Sequence, residues 1–289
     1  MDELHRDEEP TEETTEEPKK IWGLAVAILA VLAVVAALYY FFFMKRPEVP
    51  AAAAPPAKSV LPTEGEAAPA APGLEPLAFP AVPLDASDDA VRQFASALSV
   101  NPEFAKWLLT KDLIRTFVVS VDNVANGLSP KAHVDFFSPA GEFRVSRKKD
   151  GTIVDPVTYA RYDAVVGVAL SLDATAAARL YRAIDPLVQE AYNELGYPGV
   201  DFDDTLVRAM SELLEAPVVD GPIRLEQKVL SYAITDQTLE ALSPAQKQLL
   251  RMGPKGVQAV HDKIRALAAA LGIPASRLPQ SKSYTTVAR

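Results

Sequence analysis

The sequence predicts a mainly α protein: a helical globular domain with one small β-hairpin, preceded by a single transmembrane helix. Three observations carry that prediction. An uncharged run extends from Ile21 to Met44 between Lys19-Lys20 and Lys45-Arg46, apolar residues recur at helical spacing from Leu84 to Leu271, and one Asp-Gly pair sits between two short alternating segments.

The 24-residue run makes a helix of roughly 36 Å at about 1.5 Å per residue, enough to cross a ~30 Å hydrocarbon core with some tilt. Trp22 and the pair Tyr39-Tyr40 supply amphipathic rings at its two ends. A cleaved signal peptide would have a shorter apolar core behind a basic leader. Here the leader carries nine acids against Arg6, Lys19 and Lys20, so an uncleaved anchor is expected, with residues 1–20 as an acidic disordered cytoplasmic tail.

Lysine and arginine counts on the two sides of the span tie. The segment that follows favours an orientation with the C-terminal part periplasmic. Ten prolines and eleven alanines stand among the 37 residues from Pro47 to Pro83. Such a stretch favours extended polyproline II and cannot build a core, so residues 45–83 read as a linker. Ala/Pro spacers that hold a folded domain off the inner membrane are common in bacterial envelope proteins, and the orientation rests on that association. The expected location is thus the inner membrane, with the N-terminus cytoplasmic.

Charge is unevenly placed. The net −9 resides mostly in the tail, while the part after Pro83 holds 25 acids and 23 bases. A nearly neutral domain lacks the basic field that nucleic-acid binding requires, so nucleic acid is not expected as a partner. Zero cysteines exclude thiol catalysis and are compatible with any redox compartment.

Within the domain, expected over 84–271, the first helix carries Val91, Phe94, Ala95 and Leu98 after Asp85 or Ser87 as cap. Asn101-Pro102 opens the next, with Phe104, Trp107 and Leu108. Leu113, Ile114, Phe117, Val118, Val121 and Ala125 form a third stripe that ends at Asn126-Gly127. Asp155-Pro156 opens a helix striped by Tyr159, Tyr162, Val166, Ala169 and Leu170. The cleanest period runs Leu180, Tyr181, Ile184, Leu187, Val188, Ala191, Tyr192 and Leu195, with Pro186 as a kink or a restart. Leu206, Val207, Met210, Leu213 and Leu214 mark another helix. Ser243 to Gln246 form a capping box with proline at the first helical position. Gly253-Pro254 opens the last helix, striped by Val257, Val260, Ile264, Leu267, Ala268 and Leu271. The only strand signal is a hairpin of 142–146 and 152–154 around Asp150-Gly151. Residues 272–289 read as a flexible tail.

The strings NPEFAKWLLTKDLIRTFVVSVDNVANG from Asn101, DPVTYARYD from Asp155, PLVQEAYNELGYP from Pro186 and LLRMGPKG from Leu249 resemble a bacterial family of single-span membrane proteins classed as a domain of unknown function. The resemblance covers roughly 84–271 and implies the layout of anchor, Ala/Pro linker and helical C-terminal domain. It implies no activity and no catalytic residue.

Site candidates are few. Asp201, Asp203 and Asp204 are the densest carboxylate group, suited to a hard cation by chemistry, but they lack the glycine and distal glutamate of an EF-hand loop. Capping of the following helix explains them more simply. Asp122 and Asn123 lie mid-helix beside an apolar stripe, which fits a cleft contact or a hydrogen bond to a neighbouring loop. Arg161 between Tyr159 and Tyr162 could meet an anionic or sugar ligand, although the two tyrosines also fit a core. His261 falls on the packed face of its helix and reads as a core-edge residue. His133 and His261 are too few for a histidine metal site. No catalytic, cofactor or metal motif is present. The expectation is therefore a membrane-anchored envelope protein whose domain binds an unidentified protein or envelope polymer. The alternative is a tethered hydrolase of cell-wall glycan or peptide using Asp/Glu carboxylates, which need no sequence motif.

Overall fold

A computed structural model describes residues 76–132, 139, 141–149 and 151–286. The chain divides into two units between Glu66 and Ala67, and every described residue belongs to the second. The expected tail, anchor and most of the linker lie outside the described residues. Among those described, no single helix is long and apolar enough to cross a membrane.

The described residues are mainly helical: α1 (Asp88–Ala95), α2 (Pro102–Trp107), α3 (Leu113–Ala125), α4 (Asp163–Ser171), α5 (Ala174–Glu194), α6 (Phe202–Leu214), α7 (Gln237–Glu240), α8 (Pro244–Leu250) and α9 (Gly253–Leu271). Three of the expected caps form. Asn101 accepts the Glu103 amide with Pro102 at the first helical position, Asp155 accepts the Val157 amide before a 3-10 turn, and Ser243 and Gln246 make a reciprocal capping box. Each supplies an acceptor to an amide that the helix start would leave open.

The main core joins α1, α3, α5 and the start of α6. Ile114, Val118, Leu180, Ile184, Val188, Tyr192 and Phe202 are buried there. Phe202 is fully buried, its ring 5.2 Å from Tyr192 and 5.9 Å from Phe117. The Tyr192 hydroxyl meets the buried Thr205 hydroxyl at 2.9 Å, which satisfies both in a dry setting. Pro186 neither restarts nor interrupts α5; it lies inside the helix at an exposed position.

The structure corrects several expectations. Domain packing begins before residue 84: Leu77 and Phe79 pack on the main core, and Phe79 lies 5.3 Å from Phe94. Residues 156–162 are a 3-10 turn that precedes α4. The buried positions of α4 are Val165 and Val168, whereas Leu170 is 51% exposed. The period shifted because the 3-10 turn advances the chain differently from an α-turn. Leu187 is only partly buried at the edge of the core cluster, and Leu195, the residue after the helix end, is 40% exposed.

The β structure exceeds the single hairpin. Strands β1 (Val145–Lys148), β2 (Gly151–Val154), β4 (Arg224–Gln227) and β5 (Tyr232–Ile234) form an antiparallel sheet in the order β1-β2-β4-β5. Lys148 pairs with Gly151, so Gly151 belongs to β2 rather than to the expected Asp150-Gly151 turn. A second, parallel pair joins β3 (Val218–Asp220) to β6 (Ser283–Thr285). The tail expected to be loose is therefore fastened. Leu278 is buried, Val218 donates to the Lys282 carbonyl at 2.8 Å, and Tyr284 donates to Asp236 at 2.6 Å. His261 is fully buried rather than at the core edge, held between the Leu213 carbonyl at 2.9 Å and the Ser281 hydroxyl at 3.0 Å. Burial pushes its imidazole below the ordinary histidine value.

Candidate functional site

Among the described residues a groove of about 800 Å³ opens where the antiparallel sheet meets the 156–162 turn and the end of α8. Its sheet wall presents Leu225 and Tyr232, and Phe143 lies 6.0 Å from Tyr232 ring to ring. The turn contributes Tyr159, Arg161 and Tyr162. From α8 and its end come Lys247, Leu250 and Arg251, and the β4–β5 loop adds Lys228, Val229 and Leu230.

Local chemistry fixes each wall. Asp155 accepts from the Val157 amide at 3.0 Å and the Ser146 hydroxyl at 2.9 Å, tying the turn to β1. These donors hold its carboxyl below the usual range. Arg144 N–H donates to the buried Thr158 hydroxyl at 3.2 Å. Tyr159 lies against Gly253, where a β-carbon would come within 2.6 Å of the ring and where φ is +74°. Only glycine meets both demands, so this residue lets the turn dock on α9. The α8 wall is set by Glu212 of α6, which accepts from Ser243 Oγ at 2.6 Å, and by the Gly127 carbonyl, which accepts from Ala245 N–H at 3.0 Å.

Electrostatically the groove is cationic. Lys131, Arg161, Lys228, Lys247 and Arg251 line it, against Glu240 as the one carboxylate among the described lining residues. Glu240 accepts from Lys247 Nζ and from Ile234 N–H, each at 2.9 Å, and these bonds hold its carboxyl below the ordinary value. The Arg161 guanidinium stands 6.0 Å from the Tyr162 ring centroid, at the outer limit for a cation–π contact. The arrangement suits binding of an anionic or aromatic-stacking partner. A two-carboxylate hydrolysis would need a second acid beside Glu240.

The other sequence candidates lie apart from this groove. Asp201 caps α6 by accepting the Asp203 amide at 2.9 Å. Asp203 accepts the Tyr181 hydroxyl, and Asp204 pairs with Arg277 at 3.0 Å. Among the described residues no group of three or more His, Cys, Asp or Glu side chains is placed to hold a metal ion. Asp122 is buried on α3, with Oδ1 lacking a hydrogen-bond partner. Burial pushes its carboxyl up, against the opposing pull of Asn126 and of Arg208 on α6. Asn123 is half-buried on the same helix, and its carbonyl accepts from Leu128 N–H at 2.7 Å. Of the six candidates only Arg161 reaches the groove. Phe143, Tyr232, Lys247 and Arg251 were missed because nothing local distinguishes them; they converge only through the sheet and the α8 cap.

The sequence pattern of one family, described as a protein of unknown function (DUF3014), matches residues 113–268, more than half of the chain. The chain belongs to the DUF3014 family. The matched stretch runs from the start of α3 almost to the end of α9 and contains every groove residue named above. No curated protein and no solved structure matches the chain.

Proposed function

We propose that this DUF3014 member is a membrane-anchored envelope protein whose domain binds a protein or envelope-polymer partner in the groove. In this reading residues 21–44 form a single inner-membrane span, the N-terminus is cytoplasmic, and the Ala/Pro segment 45–83 carries the domain in the periplasm. The observation that carries the binding assignment is the groove itself: about 800 Å³, walled by aromatic rings and rimmed by five cations. Concave sites with apolar walls and a few convergent polar groups are where ligands are usually held. The Glu240 carboxylate is engaged by Lys247 and the Ile234 amide, which favours binding over acid–base hydrolysis.

Two experiments test this. Replacing Tyr232 in the full chain with a photo-crosslinking residue should capture a discrete partner in intact cells, while the same residue at Glu190, on the exposed face of α5, should not. Equal capture from both positions, or none from the groove, rejects the site. Alkaline phosphatase fused after Arg289 should be active in intact cells; an inactive fusion with an active cytoplasmic reporter at the same place rejects the orientation.

A further inference from the structure

The β4–β5 hairpin ends in a way that its own turn chemistry does not explain. Lys228 N–H donates to the Ser231 carbonyl at 2.9 Å, closing a two-residue loop whose apex is Val229-Leu230. Such loops ordinarily carry glycine, asparagine or aspartate, which tolerate positive φ. Among the described residues only Asp112 is a non-glycine with positive φ, so the apex has neither the usual residues nor the usual conformation. Both side chains project into solvent, Val229 at 97% and Leu230 at 96% exposure. Two adjacent branched apolar residues that break a local rule and pack on nothing mark a surface used by something outside the domain.

What surrounds the apex indicates the occupant. Val229 and Leu230 share the groove with Lys131, Arg161, Lys228, Lys247 and Arg251. A small apolar tip beside long cationic side chains matches an anionic bilayer surface: the tip enters the acyl boundary while lysine and arginine stems lie along it with their charges at the headgroups. An apolar cleft on another protein would take the tip but offers no counter-charge to the cations that line the same groove, which anionic headgroups supply. The ion pair Lys228–Glu226 at 2.7 Å is exposed and weak, so lipid phosphates can compete for Lys228, whereas Lys247, half-buried and 2.9 Å from Glu240, contributes its charge to the field of the patch.

We infer that the Val229-Leu230 apex and its cationic surround form a membrane-docking surface for anionic lipid. This contact goes beyond the proposed function and rests on it in one respect: the anchor supplies the local concentration that makes a small surface sufficient. Neither a two-residue tip nor a basic patch alone binds a bilayer durably, whereas two signals together do.

The chain has no cysteine, so a Leu230→Cys variant of the full chain carries a single site for an environment-sensitive fluorophore. The labelled chain is reconstituted into vesicles of phosphatidylcholine with or without phosphatidylglycerol. A blue shift, and quenching by lipid-borne spin labels, is expected with phosphatidylglycerol only. Both should be lost in about 1 M salt, where the screening length is about 3 Å, and in Lys247→Glu/Arg251→Glu. A label at Leu109, another exposed apolar position, should show neither. No shift in any lipid, or an equal shift at Leu109, overturns the inference. So does a shift produced by polyglutamate and not by phosphatidylglycerol, which assigns the surface to an acidic protein. If the chain resists stable insertion, the anchor reading fails separately, and co-flotation of the labelled chain with preformed vesicles decides the docking surface.

Discussion

The helical half and the sheet half of the domain are built on different principles. Around Tyr192 and Phe202, long helices bury branched and aromatic side chains against one another, and the buried hydroxyls of Tyr192 and Thr205 pair with each other. Around the groove, strands of three or four residues hold a smaller core of Val219, Ile223, Leu225, Leu239 and Leu250, and aromatic rings and cations face open space. Rigid packing on one side and half-exposed chemistry on the other is the division expected when a scaffold positions a binding surface. It implies that substitutions in the helical half act on stability, and those in the groove on binding.

The largest effect should come from Phe202→Ala. Emptying a fully buried ring site should cost about 3–5 kcal/mol, read as a shift in denaturant midpoint. A loss below about 1 kcal/mol would break the comparison, because the ring joins α3, α5 and α6. Next, His261→Ala removes both the contact to the Leu213 carbonyl and that to Ser281, which fastens the C-terminal strand. A cost of about 1–3 kcal/mol is expected from the lost and unsatisfied hydrogen bonds. Limited proteolysis of the variant should then release the segment beyond Gly272 early.

Among the described residues the helical half holds one buried side-chain oxygen without a partner, and pH should reveal it. Asp122 is buried with an unpartnered oxygen, and its carboxyl is raised in the folded state. The fold binds that proton more tightly than the unfolded chain does. Its stabilising contribution is thus complete below the ordinary carboxylate value and is lost as pH rises through the raised native value. Asp122→Asn should flatten the stability profile in that window and leave the variant more stable than the parent at neutral pH. His261 tilts the other way. Its native value is depressed, so stability falls as pH drops through the ordinary histidine range, and His261→Ala removes that slope. The two variants measured by chemical denaturation across pH separate the contributions.

The smallest stability effect belongs to the groove. Leu230→Ser changes a side chain that touches nothing in the domain, and it should shift the denaturant midpoint by less than about 0.5 kcal/mol. A larger loss would mean that the apex supports the fold, and the division between the two halves would have to be redrawn.

Most of the helical half was legible residue by residue. Asn101-Pro102, Asp155-Pro156, Ser243 to Gln246 and Gly253-Pro254 mark starts because capping and proline placement are decided within one helical turn. The core positions Ile114, Val118, Ile184, Val188 and Leu214 follow from a 3.6-residue period that a single sequence displays. The sheet half was hardly legible. Arg-Leu-Glu-Gln at 224–227 has no apolar alternation beyond Leu225, and becomes a strand because β2 and β5 flank it. The same holds for Ser283–Thr285, whose parallel pairing with Val218–Asp220 spans more than sixty residues of chain. Asp122 could be singled out as a polar residue in an apolar stripe, but nothing local shows that it faces α6 and Arg208.

By itself the sequence determined the helical class, the places where helices begin, the apolar faces and the near-neutral charge of the domain, because these depend on interactions a few residues apart or on simple counting. Tertiary structure alone decided the four-stranded sheet, the fastening of the C-terminal segment and the gathering of Phe143, Arg161, Tyr232, Lys247 and Arg251 around one groove. Those features arise from contacts between segments scores of residues apart, whose partners are chosen by packing geometry rather than by any local signal.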